Sequence, residues 1–202
     1  MKKIENIQII LASASPRRRE LLGQIGLHPQ ILPSTVEENI TSTKPEEVVK
    51  ELSWQKAEDV FDKIEGERRE NTGSFVVIGA DTVVANAGEI LGKPKSHADA
   101  ARMIEELQGK EHQVYTGVTL IGRDADGKRV QTVFAEKTDV FVYPMNEEEI
   151  YEYANSEEPM DKAGAYGIQG RFAAYIERIC GDYNNVVGLP AGRVFQEIKR
   201  LF

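Results

Sequence analysis

The stretch Phe75–Ala85 reads FVVIGADTVVA and is apolar at almost every position, with Asp81 and Thr82 as its polar interruptions. A strand that is covered on both faces is apolar throughout, whereas a half-exposed strand alternates. The stretch therefore predicts a central, buried strand. A carboxylate inside such a strand is costly unless it is paired or used in chemistry. Asp81 could bind a divalent cation or accept a proton from water, or it could cap a helix or pair with an arginine.

On either side of this strand, strand and helix patterns alternate, and a long hairpin follows whose turn contains Asp126-Gly127. Strands are predicted at Ile7–Ala12, His28–Leu32, Val114–Ile121, Val130–Val142, Ala173–Glu177 and within Gly181–Pro190. Helices are predicted at Pro16–Ile25, Pro45–Ile64, His97–Gln108, Glu147–Ala154 and Pro190–Leu201. The segment Glu65–Gly73 is predicted to be a loop. The pattern predicts an α/β fold with a mixed, curved central sheet flanked by helices, and residues 1–202 as a single domain. In such folds ligands bind in the crevice beyond the strand ends.

The composition argues against several classes of function. The 202 residues carry 25 Lys and Arg against 33 Asp and Glu, a formal net charge of −8. A chain this acidic is a poor partner for nucleic acids, whose binding depends on Lys and Arg that release counterions. No apolar run approaches the ~18 residues of a membrane span, and Ile7–Ala12 is too short for a secretion signal. Because the one cysteine, Cys180, cannot form an internal disulfide, a cytoplasmic protein is expected.

The run Ser13–Arg19, SASPRRR, places serines and arginines where a strand passes into a helix. Ser15 suits the N-cap, and Pro16 suits the first helical position. The free N–H groups and the dipole at a helix N-terminus favour an anion and disfavour cations. Consecutive arginines at this point therefore indicate a phosphate site, with a solvated basic patch as the alternative.

Two shorter motifs add charged candidates. Glu37 and Glu38 form a carboxylate pair that could hold a metal ion or simply face water. Lys93 stands between a glycine and a proline, which restricts the chain and suits a fixed cation, although the same tripeptide is common in ordinary loops. Nothing in the sequence around Lys56 sets it apart from other exposed helix lysines.

The segment Asp161–Gly170, DKAGAYGIQG, contains glycines that permit a close approach of the backbone to a ligand. Tyr166 offers a stacking face, and Gln169 offers a donor and an acceptor that could read the edge of a base. A surface loop without a ligand is the alternative interpretation.

Taken together, these segments resemble the Maf family of nucleoside triphosphate pyrophosphatases. The matching motifs span nearly the whole chain and are SASPRRRELL (Ser13–Leu22), VEEN (Val36–Asn39), the QKA around Lys56, GADTVV (Gly79–Val84), GKP (Gly92–Pro94), VYTGV (Val114–Val118), EPMDKAGAYGIQG (Glu158–Gly170) and NNVVGLP (Asn184–Pro190). The first and the seventh are long and specific. The resemblance implies metal-dependent hydrolysis of a nucleoside triphosphate to the monophosphate and pyrophosphate. It also implies a fold similar to the inosine triphosphatase-like pyrophosphatases, with a cleft between two lobes.

The resemblance further implies a role for each candidate residue. Asp81 is similar to the family's proton acceptor for the water that attacks the α-phosphorus, and Glu38 with Asp81 to its carboxylates for a divalent cation such as Mg, Mn or Co. The residues implied for the triphosphate clamp and the helix mouth are Arg17, Arg18, Lys56, Lys93, Ser13 and Ser15. Arg17, Thr82 and Gln169 occupy the positions that sort substrates, and this set resembles the branch that acts on dTTP and UTP.

The expected function is therefore a cytoplasmic pyrophosphatase for dTTP, UTP and modified pyrimidine nucleotides, with a house-cleaning and cell-division-arrest role. The alternative is a nucleotide-sensing regulator of septum formation that acts through a protein partner. The set of Asp81, Glu38 and Lys93 favours catalysis, because a sensor need not retain a base that activates water. We expect no nucleic-acid or membrane partner, and the sequence leaves a homodimer open.

Overall fold

The computed structural model describes residues 4, 6–67 and 73–202, and within these residues the strands form one mixed, seven-stranded sheet. The strands are β1 (Gln8–Leu11), β2 (Gln30–Ile31), β3 (Phe75–Asn86), β4 (Glu89–Leu91), β5 (Glu111–Arg123), β6 (Arg129–Val142) and β7 (Ile176–Cys180). Their order is β2-β1-β3-β5-β6-β7, and β4 pairs with β3 as well. The pairs β1–β2 and β1–β3 are parallel, and all the other pairs are antiparallel.

Helices cover both faces of this sheet. They are α1 (Pro16–Gln24), α2 (Pro45–Glu67), α3 (His97–Leu107), α4 (Glu147–Ala154), α5 (Tyr183–Val187) and α6 (Ala191–Leu201), with 3₁₀ turns at Glu158–Asp161, Ala163–Ala165 and Arg171–Tyr175. The helix α2 packs on one face over a small core, and the other five contribute to a larger core. The predicted α/β fold with a mixed sheet flanked by helices is confirmed. In the described part of the chain, no helix is long and apolar enough to cross a membrane.

The side chains of β3 alternate between the two faces, as the buried-strand prediction requires. Phe75 and Val77 join Phe61 of α2 in the small core, whereas Val76 and Ile78 belong to the large core. We refer to these two sides as the α2 face and the opposite face. Because the alternation has a period of two residues, the strand presents neighbouring polar residues to different surroundings.

Two glycines set how closely α2 approaches the sheet. A Cβ atom at Gly79 would lie 2.3 Å from the carbonyl oxygen of Ser53, and one at Gly117 would lie 2.0 Å from that of Val49. Both separations are far below any van der Waals contact, so neither position accepts a side chain. The close approach places α2 within side-chain reach of Asp81, which follows Gly79 by two residues and faces the same helix.

Several predicted boundaries are wrong at the polar ends of elements. The helix predicted to end at Ile64 continues to Glu67. The prediction of a loop at Glu65–Gly73 is therefore wrong for its first three residues, and residues 68–72 of it lie outside the described residues. The short strand β4 was not predicted, because three residues are too few to show a periodic pattern.

Two strand predictions near the C-terminus are also wrong. Of the strand predicted at Ala173–Glu177, the first three residues belong to the last 3₁₀ turn, and only Ile176 and Glu177 lie in β7, which continues to Cys180. Instead of the strand predicted within Gly181–Pro190, the chain forms α5. The side chain of Asp182 accepts a hydrogen bond from the backbone N–H of Asn184 at 2.8 Å, and this cap outweighs the strand preference of the two valines that follow.

Candidate active site

The edge of β3 that faces β1 is interrupted by a gap. The strand β1 pairs with β3 only as far as Ile78, and β4 takes up the same edge from Val84 onward. Between these points no strand of the described chain pairs with this edge of β3, and the gap contains Asp81 and Thr82. Diverging neighbours leave a crevice at the strand ends, which is where α/β folds bind ligands.

A cleft of about 730 Å³ opens at this gap. It is lined by the first turn of α1, the middle of β3, the loop after β4, the segment Glu158–Gly170 and the end of α5. The predicted site residues that line it are Ser13, Ser15, Arg17, Arg18, Lys56, Asp81, Thr82, Lys93 and Gln169. Of the residues predicted for the site, Glu38 does not line the cleft, but it forms an ion pair with Lys56, which does.

The N-terminus of α1 opens into the cleft without a capping side chain. Ser15 holds the N-cap position in an extended conformation, but its hydroxyl makes no capping hydrogen bond. The hydroxyl oxygen of Ser13 accepts from the backbone N–H of Ser15 at 3.2 Å. The first turn of α1 carries no acidic residue, so its N–H groups and positive dipole end have no counter-anion of their own. The predicted helix start is confirmed, and its open end suits a phosphate group.

Two further cations stand at the rim of the cleft. Arg17 lies 3.7 Å from the carboxylate of Asp161, on the other side of the cleft. Lys93 is exposed, and no carboxylate of the described chain lies within ion-pair distance of it. Both side chains can therefore turn toward an anion in the cleft at little cost.

Arg18 behaves differently, because it joins three segments of the protein. Its Nε donates to the carbonyl of Gly188 at 2.9 Å, and its Nη1 donates to the carbonyl of Ala80 at 2.9 Å and to the hydroxyl of Ser13 at 3.2 Å. Its Nη2 donates to the hydroxyl of Thr82 at 3.2 Å. Burial lowers the pKa of this guanidinium. An arginine has five N–H groups, so one remains for a ligand. Arg18 fills the gap beside β3 and builds the cleft wall.

On the α2 face, two carboxylates meet at one ammonium group. The Nζ atom of Lys56 donates to Oδ1 of Asp81 and lies 2.9 Å from Oε1 of Glu38. The side chains of Lys56 and Asp81 are 17% and 16% exposed, whereas that of Glu38 is 46% exposed. The carboxylate in the central strand is thus paired, although with a lysine of α2 rather than with an arginine.

The segment between β2 and α2 is tied along the helix, and this places Glu38. The backbone N–H of Asn39 donates to Oε1 of Gln55 at 2.9 Å, and Nε2 of Gln55 donates back to the carbonyl of Asn39 at 2.7 Å. Further along, the N–H and hydroxyl of Thr41 donate to Glu51. The two hydrogen bonds from Gln55 fix the backbone next to Glu38, and Gln55 itself precedes Lys56 in sequence.

The donor set fits a small divalent cation. Asp81 and Glu38 offer carboxylate oxygens, which are the ligands that Mg²⁺ prefers, and the positive charge of Lys56 already stands between them. Among the described residues, no group of three or more His, Cys, Asp and Glu side chains could hold a metal ion. Mg²⁺ commonly uses only one or two protein carboxylates and takes its remaining ligands from water and substrate phosphates. Two carboxylates therefore suffice.

On the opposite face, hydroxyl groups form a buried chain of hydrogen bonds. Thr116 donates to the carbonyl of Asn185 at 3.1 Å, so its oxygen accepts from the hydroxyl of Thr82 at 2.9 Å. The amide of Asn185 donates to the carbonyl of Val114 and to the hydroxyl of Thr138. These hydrogen bonds hold α5 against the sheet. They also fix the position of the carbonyl of Gly188, which accepts a hydrogen bond from Arg18.

The segment that carries Gln169 is anchored at Tyr166, whose hydroxyl lies 2.7 Å from Nε2 of the fully buried His112. Burial lowers the pKa of His112 to about 4 and raises that of Tyr166. The backbone N–H of Gly164 donates to the carbonyl of Gly92, which joins this segment to the loop of Lys93. Gln169 itself is exposed at a turn, and its amide makes no hydrogen bond to the described protein.

A family model described as Maf-like protein matches residues 8–201 of this chain. The chain belongs to the Maf family. The dTTP/UTP pyrophosphatase of Agathobacter rectalis is 54% identical over 199 residues, which is 96% of this chain and 97% of that protein. The dTTP/UTP pyrophosphatase of Lachnoclostridium phytofermentans is 48% identical, over 96% of this chain and 94% of that protein. Among solved structures, the Ham1 protein of Staphylococcus aureus aligns with a TM-score of 0.40 and 14% identity, over 67% of this chain and 71% of that one.

The family resemblance seen in the sequence is thus confirmed, but residues of the Maf cleft were missed. Glu158, Asp161 and Lys162 line it and were quoted only as letters of a motif. The Nζ atom of Lys162 donates to the carboxylate of Asp161 and, at 3.2 Å, to the carbonyl of Glu158. Burial raises the pKa of Asp161, but Lys162 and Arg17 outweigh it and lower the pKa overall. Lys162 is the one cation of the glycine-bearing segment Asp161–Gly170, and this position could have marked it as a candidate.

Proposed function

We propose that this Maf protein is a nucleoside triphosphate pyrophosphatase that uses a divalent cation and acts on dTTP, UTP and modified pyrimidine nucleotides. The observation that carries the proposal is the convergence of Asp81 with exchangeable cations and an open helix N-terminus in one cleft. The names of the relatives, dTTP/UTP pyrophosphatases, support the choice of substrate. Removal of non-canonical nucleotides before a polymerase can use them is the cellular role that we propose with it.

The charge distribution supports an anionic substrate in spite of the net charge of −8. A triphosphate carries about four negative charges, so its cleavage needs clustered positive charge near the leaving pyrophosphate. Arg17, Lys56 and Lys93 supply this charge from three different elements, and the first turn of α1 adds backbone N–H donors. Lys162 adds a further cation once a phosphate replaces its own carboxylate partner.

In the proposed mechanism, Asp81 accepts a proton from the water molecule that attacks the α-phosphorus. Before a cation binds, Lys56 donates to Oδ1 of Asp81, and Oδ2 has no protein partner among the described residues. Oδ2 is thus the oxygen that takes the proton. Arg18 holds the first turn of α1 in a fixed position against β3 during the reaction. Its one remaining N–H group is available to a phosphate oxygen.

Glu38 and Asp81 would hold the divalent cation, which we expect to be Mg, Mn or Co. When bound, the cation supplies charge neutralisation for the phosphate oxygens and the leaving pyrophosphate. Lys56 must move from between the two carboxylates for this to occur, and its flexible stem lets the ammonium follow a phosphate oxygen instead.

The pyrimidine base is proposed to bind at the rim formed by Arg17, Thr82 and Gln169. The amide of Gln169 is free to donate and to accept, as the edge of a pyrimidine requires. The hydroxyl of Thr82 accepts from Arg18 and donates to Thr116, so Thr82 shapes the floor of the site rather than offering a proton to the ligand.

The proposal is tested with purified protein, Mg²⁺ and a panel of canonical and modified triphosphates, with chromatographic identification of the products. We expect dTMP and pyrophosphate from dTTP, UMP and pyrophosphate from UTP, slower turnover of purine triphosphates, and no turnover after chelation. Intact dTTP, or its conversion to dTDP and phosphate, would show that the assignment is wrong. The activity that Mg, Mn or Co restores after chelation shows which cation the protein prefers.

A further inference from the structure

Glu158 is a carboxylate that lines the cleft while its oxygens are bound to the protein. Its Oε2 accepts from the backbone N–H of Arg171 at 2.8 Å, and its Oε1 accepts from the hydroxyl of Tyr153 at 3.0 Å and from the N–H of Phe172 at 3.4 Å. A carboxylate that accepts several hydrogen bonds is held in one orientation. Both oxygens are thus occupied by hydrogen bonds from the protein, two of them from the backbone that follows Gln169, rather than by the substrate.

The turn that carries Gln169 packs directly on this carboxylate. A Cβ atom at Gly170 would lie 2.2 Å from Oε1 and 2.5 Å from Oε2 of Glu158, so a side chain there would force the turn and the carboxylate apart. The backbone N–H of Gly170 donates to the carbonyl of Gly167 at 3.1 Å, which closes the turn. Within it Ile168 is buried and Gln169 is exposed, so the turn has one face in the core and one at the cleft.

The support behind Glu158 is rigid. Tyr153, which donates to the carboxylate, is buried, and its ring lies 5.0 Å from that of the fully buried Phe172. The ring of Phe172 lies in turn 4.8 Å from that of Tyr166, which is itself bonded to His112. The carboxylate thus connects a packed aromatic cluster to an otherwise exposed turn.

We propose that Glu158 is a positioning residue that sets the base selectivity of the cleft. By holding the backbone after Gly170 and the turn before it, Glu158 gives the amide of Gln169 one orientation toward the base. This inference rests on the proposed function, because it assumes that Gln169 contacts a pyrimidine. A role for Glu158 as a further metal ligand is disfavoured, since both oxygens already accept hydrogen bonds from the protein.

The test compares wild-type protein with Glu158→Gln for dTTP and dGTP under the same Mg²⁺ concentration. The substituted amide places its N–H donors against the backbone N–H of Arg171 or against that of Phe172, and either conflict loosens the turn. We expect the ratio of kcat/KM for dTTP over dGTP to fall at least about tenfold, since small misplacements of a contacting group have effects of this size or larger. The loss should appear in the KM for dTTP rather than in kcat.

Three further substitutions complete the test: two of them alter the contacts of Glu158, and one is a control. Gly170→Ala should displace the turn from the carboxylate and lower the dTTP to dGTP ratio as Glu158→Gln does. Gly192→Ala is the control, because an added Cβ there meets nothing within 4 Å and the residue does not line the cleft. Tyr153→Phe removes one donor to Glu158 from the buried side and should lower the ratio by a smaller factor. Melting temperatures separate these effects from unfolding. If Glu158→Gln does not fold, the dTTP to dGTP ratio of Tyr153→Phe tests the proposal instead.

An unchanged dTTP to dGTP ratio in folded Glu158→Gln or Gly170→Ala would overturn the proposal. So would a fall in kcat at constant KM with a raised Mg²⁺ requirement, which would make Glu158 a metal ligand or catalytic residue. If wild-type protein releases no pyrophosphate, the proposed function is wrong, but the role of Glu158 is still testable. Calorimetric binding of dTTP and dGTP to wild-type and Glu158→Gln protein then still shows whether Glu158 sets base selectivity.

Discussion

The two faces of β3 at the gap hold adjacent residues in opposite kinds of environment. On the α2 face, Asp81 and Glu38 both contact the ammonium group of Lys56, and both contacts are ion pairs. On the opposite face, Thr82 and Arg18 are bound to hydroxyl groups and backbone carbonyls. Side chains that are bound to each other can exchange partners with a ligand, whereas groups bound to the backbone cannot be released without moving the fold. We infer that the α2 face carries the chemistry and that the opposite face maintains the cleft.

The largest effect should come from the α2 face. Asp81→Asn removes the proposed proton acceptor while keeping the size of the side chain, and we expect turnover of dTTP to fall by about 10²–10⁴-fold, which is the usual contribution of a general base. Binding of dTTP should persist in calorimetry, because the clamp residues remain. Turnover within a factor of two of wild type would remove Asp81 from its role. If Asp81→Asn still alters septation when it is expressed in cells, the nucleotide-sensing alternative gains support.

The opposite face should respond in stability as well as in activity. Arg18→Ala removes the guanidinium donors from the carbonyls of Ala80 and Gly188, and we expect the free energy of unfolding to fall by about 3 kcal/mol. Arg17→Ala is the matched control, because its ion pair with Asp161 is long and exposed. That variant should raise the KM for dTTP and leave the melting temperature almost unchanged. Equal stability of the two variants in urea titration would contradict the division between the faces.

His112 supports the opposite face through its contact with Tyr166. It should make the free energy of unfolding depend on pH. Its pKa is about 4 in the folded protein, against an ordinary value of 6.5. As the pH falls below 6.5, the unfolded chain takes up a proton that the folded protein does not, so the free energy of unfolding decreases until about pH 4. The whole decrease from this group is roughly 3 kcal/mol. Urea unfolding between pH 7 and pH 4 should show a shallower decrease for His112→Gln than for wild type.

The smallest effect is expected at Gln55, which holds the backbone beside Glu38 without touching the cleft. Gln55→Ala should raise the Mg²⁺ concentration for half-maximal activity by about tenfold, as is usual for residues that orient a metal ligand. The melting temperature should change little, because Gln55 and Asn39 are at the surface. An unchanged Mg²⁺ requirement would mean that Glu38 needs no positioning or holds no cation.

Much of this arrangement could be predicted from local patterns. The apolar run around Asp81 predicts the central strand, and the serine, proline and arginines after β1 predict the start of α1 at the residue where it occurs. Motif matches also predict nine side chains that line one cleft. These signals are strong because strand burial and helix N-termini depend on residues close together in the sequence.

Other features depend on contacts between distant residues. No local signal distinguishes Arg17 from Arg18, yet only Arg18 reaches across the gap to Gly188, 170 positions away in sequence. The partner of Asp81 was equally hidden, because the approach of Lys56 depends on helix packing at Gly79. The end of the last 3₁₀ turn was predicted as a strand, because the N–H groups at the start of that turn bond to Glu158, a contact that no periodic pattern contains.

The sequence by itself determined the fold class, the family and most of the charged residues that line the cleft. These follow from apolar periodicity and from motifs, both of which are local properties of the chain. Only the tertiary structure decided which residues can exchange partners with a ligand and which are fixed by backbone carbonyls. The physical reason is that a hydrogen-bond donor has a limited number of N–H groups, and the packing of distant segments determines how many remain free for a substrate.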